Sequence, residues 1–63
     1  MASALEVQVE QKKRLFMLLS IKEENKEYPL KGIDKKIAET IAEMQQEDVA
    51  WVEKAISNFY TNN

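Results

Sequence analysis

The sequence predicts an all-α fold: a small three-helix bundle, made of a helical hairpin plus a C-terminal helix and completed by dimerisation. Three observations predict it. The 63 residues contain one Gly and one Pro, so few positions interrupt a helix. Apolar residues recur at spacings of three and four, which is the period of an α-helix. A chain this short buries a modest core, and without Cys or His it lacks disulfides and the usual metal ligands that could stabilise it.

The first predicted helix covers residues 4–26. The segment "SALE" has the pattern of a capping box, with Ser3 as the N-cap and Glu6 three residues later. No Gly or Pro follows until Pro29, which disfavours helical backbone at the residue before it. The segment "YPLKG" is therefore the predicted connection between two helices, with Gly32 supplying the backbone freedom for a turn.

Two further helices are predicted over residues 34–45 and 48–60. Asp34 and Asp48 are candidate N-caps because an Asp side chain accepts hydrogen bonds from the free N–H groups of a first turn. Each helix carries an apolar stripe, and the two stripes do not share one helical phase, so we expect a break or tight kink over residues 45–48. The stripes consist of Ile33, Ile37, Ile41 and Met44, and of Val49, Val52, Ile56 and Phe59.

The first helix has two apolar faces instead of one. In the segment "RLFMLLSI", six of the seven residues after Arg14 are large and apolar. On a wheel of about 100° per residue, one apolar group fills a sector about 120° wide and a second lies on nearly the opposite side. A helix that is apolar on two faces is expected to be buried on both. The first group is Leu5, Val9, Leu15, Phe16 and Leu19, and the second is Val7, Met17, Leu18 and Ile21.

A second chain is expected on the second face, since two short helices offer little surface to cover both. Homodimers are the commonest closed assembly, so a second copy is the first expectation. The alternative is a monomeric bundle whose first helix is deeply buried. Trp51 lies off the stripe of its helix and is either a core residue or an anchor in a partner's pocket. The predicted partner or oligomer interface comprises Val7, Met17, Leu18, Ile21, Trp51, Phe59 and Tyr60.

No catalytic, cofactor-binding or metal-binding residue is predicted, and the protein is not expected to be an enzyme. The sequence has no His, no Cys and no Gly-rich phosphate loop. Glu39, Glu43 and Glu47 have a spacing that could supply oxygen ligands to a metal, but such rows are usually a solvated helix face.

The expected location is the cytoplasm, with no membrane partner. The first residues lack the basic start and apolar run of a signal peptide. No stretch approaches the ~18 apolar residues that a membrane helix needs.

A small helix-turn-helix DNA-binding regulator is the alternative function. In "KKIAETIAEM", Ile37, Ala38 and Ile41 occupy plausible core positions of a first helix, and "DVAWVEKAISNFY" would be the recognition helix. The charges argue against it, because residues 39–63 carry five acidic side chains and one basic side chain, which would repel phosphates. Nucleic acid is therefore not expected as a partner.

The remaining function class is a small intracellular protein-interaction module. It is expected to self-associate and to act as an adaptor, inhibitor or regulator of a protein partner. Residues 1–38 carry eight basic and six acidic side chains, the opposite balance to residues 39–63, which suits an antiparallel assembly or a charged partner. A purely structural subunit of a larger assembly is the further alternative.

Overall fold

The computed structural model describes residues 3–61, and over that range it contains three α-helices and no strand. The predicted all-helical architecture of three helices is confirmed. The helices are α1 (Ala4–Glu24), α2 (Ile33–Ala42) and α3 (Gln46–Thr61). α1 packs against both of the others.

Contacts at both ends of each helix pair fix the directions of the helices. Lys22 near the end of α1 pairs with Asp34 at the start of α2, with 2.7 Å between Nζ and Oδ1. Near the other end of α2, the Gln11 side-chain amide donates to the Glu43 carbonyl oxygen at 3.2 Å. α2 therefore runs antiparallel to α1, as a hairpin requires. α3 runs in the same direction as α1, because Trp51 near its start contacts Lys12 and Tyr60 near its end contacts Ser20.

α1 begins as the sequence predicts and ends two residues before the predicted boundary at residue 26. The Ser3 hydroxyl oxygen accepts a hydrogen bond from the Glu6 backbone N–H at 3.2 Å, which is the N-cap contact. At the other end, Asn25 donates its backbone N–H (3.1 Å) and its side-chain amide (2.8 Å) to the Ile21 carbonyl oxygen. Asn side chains compete with helix propagation in this way, so α1 stops at Glu24.

α2 begins at Ile33, and the prediction of Asp34 as its N-cap is wrong. Gly32 precedes the helix with a φ of +82° and no side-chain cap, and its carbonyl oxygen accepts the Lys36 N–H at 3.1 Å. Ile33 is only 7 % exposed, so its burial keeps it inside the first turn. Asp34 instead lies in that turn, where an acidic side chain interacts favourably with the helix dipole.

The predicted break between the second and third helices is confirmed, but it lies earlier than predicted. α2 ends at Ala42 instead of residue 45, and α3 begins at Gln46 instead of residue 48. The Gln45 carbonyl oxygen accepts the N–H groups of Asp48 (3.0 Å) and Val49 (3.1 Å), so Asp48 lies in the first turn and is not the N-cap. An Asp is favourable both at the N-cap and in the first turn of a helix, so the residue type alone did not decide between these two positions.

The core contains two residues from each helix. The predicted stripes of α2 and α3 supply four of the buried positions, and the other two come from the two apolar faces of α1, one from each. Leu15 (0 % exposed) and Leu18 (8 % exposed) stand three residues apart, hence about 60° apart around the helix axis, so a single core reaches the edge of both faces. The buried apolar residues are Leu15, Leu18, Ile33, Ile37, Val49 and Val52.

The expectation that two short helices leave the second face of α1 uncovered is wrong at Leu18. Ile21, also on that face, is half-buried and packs against the same core. Burial of these two residues is thus achieved within one chain and does not require dimerisation. Within residues 3–61, none of the helices combines the length and apolar character that crossing a membrane demands.

Candidate interaction surface

An exposed apolar groove lies where α3 meets the middle of α1. Trp51 is 60 % exposed at one wall, and the Lys12 ammonium lies 5.0 Å from the centroid of its ring, within cation–π distance. The cavity has a volume of about 430 Å³ and its walls are almost entirely apolar. We call it the Trp51 groove, and its lining residues are Val9, Lys12, Lys13, Phe16, Met17 and Trp51.

Aromatic contacts extend this surface along α3. The rings of Phe16 and Phe59 meet edge to face, with centroids 6.0 Å apart and planes at 79°. Phe59 remains 52 % exposed and also meets the Tyr60 ring edge to face at 5.1 Å. Edge-to-face pairs at these distances are favourable arrangements of the ring quadrupoles. Phe59 therefore extends the aromatic surface that Trp51 begins.

Tyr60 has a structural role that the sequence did not reveal. Its side chain is half-buried, and its hydroxyl donates to the Ser20 carbonyl oxygen (3.4 Å) and lies 3.5 Å from Glu24 Oε1. These contacts hold the end of α3 against the last turns of α1. The hydroxyl is thus directed to this chain rather than towards a partner.

The seven residues of the predicted interface do not form one surface. Leu18 is a correction: at 8 % exposure it belongs to the core, because α2 packs over it. Ile21 and Tyr60 are half-buried. Val7 is 43 % exposed but lines a different cavity, beside Arg14 and Glu43. The three members that lie at or beside the Trp51 groove and are more than half exposed are Met17, Trp51 and Phe59.

Sequence reasoning missed the exposed first turns of α1. Over residues 4–10 every side chain except that of Gln8 is exposed, and we call this segment the α1 overhang. Leu5 is 69 % exposed and Val9 is 38 % exposed, although both belong to the face expected to be covered by this chain. Helix length was the available signal, since the 21 residues of α1 span about 31 Å and the 10 residues of α2 only about 15 Å.

The groove is lined by apolar side chains and two lysines, and the acidic residues nearby in the sequence form no cluster within the described part of the chain. Among residues 3–61, no three side chains of the acidic, His or Cys type cluster so as to hold a metal ion. Glu39 lies in α2, Glu43 in the following turn and Glu47 in α3, so the row at four-residue spacing is divided between three segments. α3 also opens with Glu47 and Asp48 in its first turn, which sets negative charge where a recognition helix meets phosphates.

Comparison of the chain with models of protein families, with curated proteins and with solved structures finds no match.

Proposed function

We propose that this protein is a cytoplasmic protein-interaction module that acts as an adaptor, inhibitor or regulator of a protein partner through the Trp51 groove. The observation that carries the proposal is the exposure of Trp51 (60 %) in an apolar groove, one of whose lining residues, Phe16, contacts the exposed ring of Phe59 (52 %). Single exposed apolar residues are normal on protein surfaces. A contiguous apolar surface with aromatic residues and a polar rim is instead typical of a protein-binding site.

The residue types in the groove suit binding to protein. Trp and Tyr are enriched among the residues that dominate binding energy, and Met adapts its shape to varied partners. Met17 supplies such a flexible wall and is 55 % exposed. Lys12 and Lys13 add positive charge at the rim, which favours an acidic partner over a basic one.

Site-specific photo-crosslinking in cells tests this proposal. A photoreactive phenylalanine analogue replaces Trp51 in one variant and Lys35, an exposed residue of α2, in the control variant. We expect adducts of defined mass from position 51 and much weaker adducts from position 35. Equal labelling from both positions, or no adduct from position 51, would overturn the proposal.

A further inference from the structure

The α1 overhang and the Trp51 groove lie on one continuous face of α1. Leu5, Val9, Lys12 and Phe16 follow one another at spacings of four, three and four, which is the pattern of alternating d and a positions of a heptad. The side chain at each of these positions points to the same side of the helix. The apolar seam thus begins on the overhang, where Leu5 is 69 % exposed, and ends in the groove beside Trp51.

The charges beside this seam change sign along the helix. In this heptad register Glu6 and Lys13, seven residues apart, both occupy e positions on one flank of the seam. Glu6 belongs to the overhang, whereas Lys13 lines the groove. Lys13 lies 3.9 Å from Glu10 in its own chain, but both side chains are more than two-thirds exposed, so this pair is weak and leaves Lys13 able to exchange partners.

We propose that two copies of this protein pair through this face, with the α1 overhang of each copy seated in the Trp51 groove of the other and the two α1 helices antiparallel. The proposal rests on the proposed function and names its first partner. The groove suits an acidic, amphipathic helical segment, and the overhang is one: it carries Glu6 and Glu10 beside the exposed Leu5 and Val9.

The antiparallel orientation follows from the positions of the apolar and charged residues. It sets Leu5 against the partner's Phe16 and Val9 against the aliphatic stem of the partner's Lys12. Antiparallel helices bring e positions together across the seam, so Glu6 faces the partner's Lys13 at one end of the pair. At the other end Lys13 faces the partner's Glu6. A parallel pair would instead set e positions opposite g positions, so Lys13 would face Gln8 of the second copy and the Glu6–Lys13 attraction would be lost.

A twofold assembly requires one patch to be complementary to itself. The α1 face meets that requirement because its acidic, protruding end and its basic, grooved end lie on the same seam. The Trp51 groove of each copy would cover the α1 overhang of the other copy. The pair is therefore closed, because both Trp51 grooves and both overhangs are occupied and neither can recruit a third copy in the same way.

A charge-exchange experiment tests the pairing and its orientation. The full chain and the variants E6K and K13E are compared by analytical ultracentrifugation from low to high micromolar concentration, separately and as an equal mixture. In antiparallel pairs each variant alone sets like charges together at both ends, so we expect its self-association to weaken on the order of tenfold. In the mixture both ends carry opposite charges, so association recovers to within a few-fold of the parent chain.

Circular dichroism checks that both variants remain helical; the α1 cap uses the backbone N–H of Glu6 and survives E6K. A parent chain that stays monomeric at high micromolar concentration would overturn the proposal, even if Trp51 crosslinks to another protein and the proposed function stands. Self-association that neither substitution weakens, or that the mixture does not restore, would overturn the antiparallel arrangement. Adducts from position 51 that contain only a second copy of this chain, together with a stable pair in solution, would remove the proposed function and keep the pairing.

Discussion

The Lys12 ammonium lies 5.0 Å from the centroid of the Trp51 ring, and this contact joins the middle of α1 to the first half of α3. Lys12 is half-buried although it carries a charge, because its stem lies along the apolar wall of the groove while its ammonium meets the ring face. The contact thus orders the Trp51 side chain, which is 60 % exposed in the groove.

A double-mutant cycle measures this contact. Replacing Lys12 with Gln and Trp51 with Leu, separately and together, is expected to show a coupling of about 0.5–1 kcal/mol in the free energy of unfolding, the range of exposed cation–π pairs. Urea denaturation at low micromolar concentration supplies the values. The matched cycle with Lys35→Gln, far along the chain on α2, is expected to show none. Equal coupling in both cycles would mean that the ring does not interact with the Lys12 ammonium.

Met17 and Leu18 are neighbours in sequence with opposite environments, at 55 % and 8 % exposure. Met17→Glu is expected to change the free energy of unfolding by less than about 1 kcal/mol, since it adds charge at the surface. Leu18→Glu buries an unpaired carboxylate, which costs several kcal/mol and should unfold so small a domain. Thermal melting followed by circular dichroism compares the two. A cooperative, near-native transition for Leu18→Glu would contradict the burial of that side chain.

The fold followed from the sequence where one physical effect dominated. The apolar spacing of Ile33 and Ile37, and of Val49 and Val52, predicted buried residues at those four positions, and all four are buried. Helix ends were less predictable. Asp48 satisfies the rules for an N-cap and for a first turn alike, so only the path of the backbone decides between them.

The candidate surface was predicted only in part, because exposure depends on how long each helix is relative to its neighbours. The helical wheel of α1 identified two apolar faces. It did not show that Leu15 and Leu18, which lie at the adjacent edges of those faces, would belong to one core. Leu5 and Val9 have the spacing of core residues, yet α2 and α3 leave them 69 % and 38 % exposed. Residue type and periodicity do not contain that information, whereas the packed lengths of the helices do.

Gly32 is the one described residue with a positive φ, and its value of +82° controls the entry into α2. Gly32→Ala should lower the free energy of unfolding by about 1–2 kcal/mol, because an L side chain disfavours this backbone region. No heavy atom lies within 4 Å of the added Cβ, so the cost arises from the backbone alone. A synthetic chain with D-alanine at this position should be as stable as the parent or more stable. If both epimers lowered stability equally, the left-handed conformation would be wrong.

The surface of the α1 overhang has two sides, and they are expected to behave differently. Leu5 and Val9 belong to the seam that leads into the Trp51 groove, whereas Val7, which is 43 % exposed, stands two residues from each of them and hence about 160° away around the helix axis. The double substitution Leu5→Gln with Val9→Gln should weaken self-association by more than tenfold, since it removes two apolar contacts at each end of the pair. Gln is a good helix former, so stability at low concentration should change little.

Val7→Gln is the matched control for this pair of substitutions. It removes a comparably exposed apolar residue from the same helical turns, but from a position that the antiparallel pair leaves in solvent. Sedimentation equilibrium is expected to give the parent association constant for Val7→Gln and a monomer for the double variant. If Val7→Gln dissociated the pair and the double variant did not, the contact would lie on the side of α1 that carries Val7 and not on the seam of Leu5 and Val9.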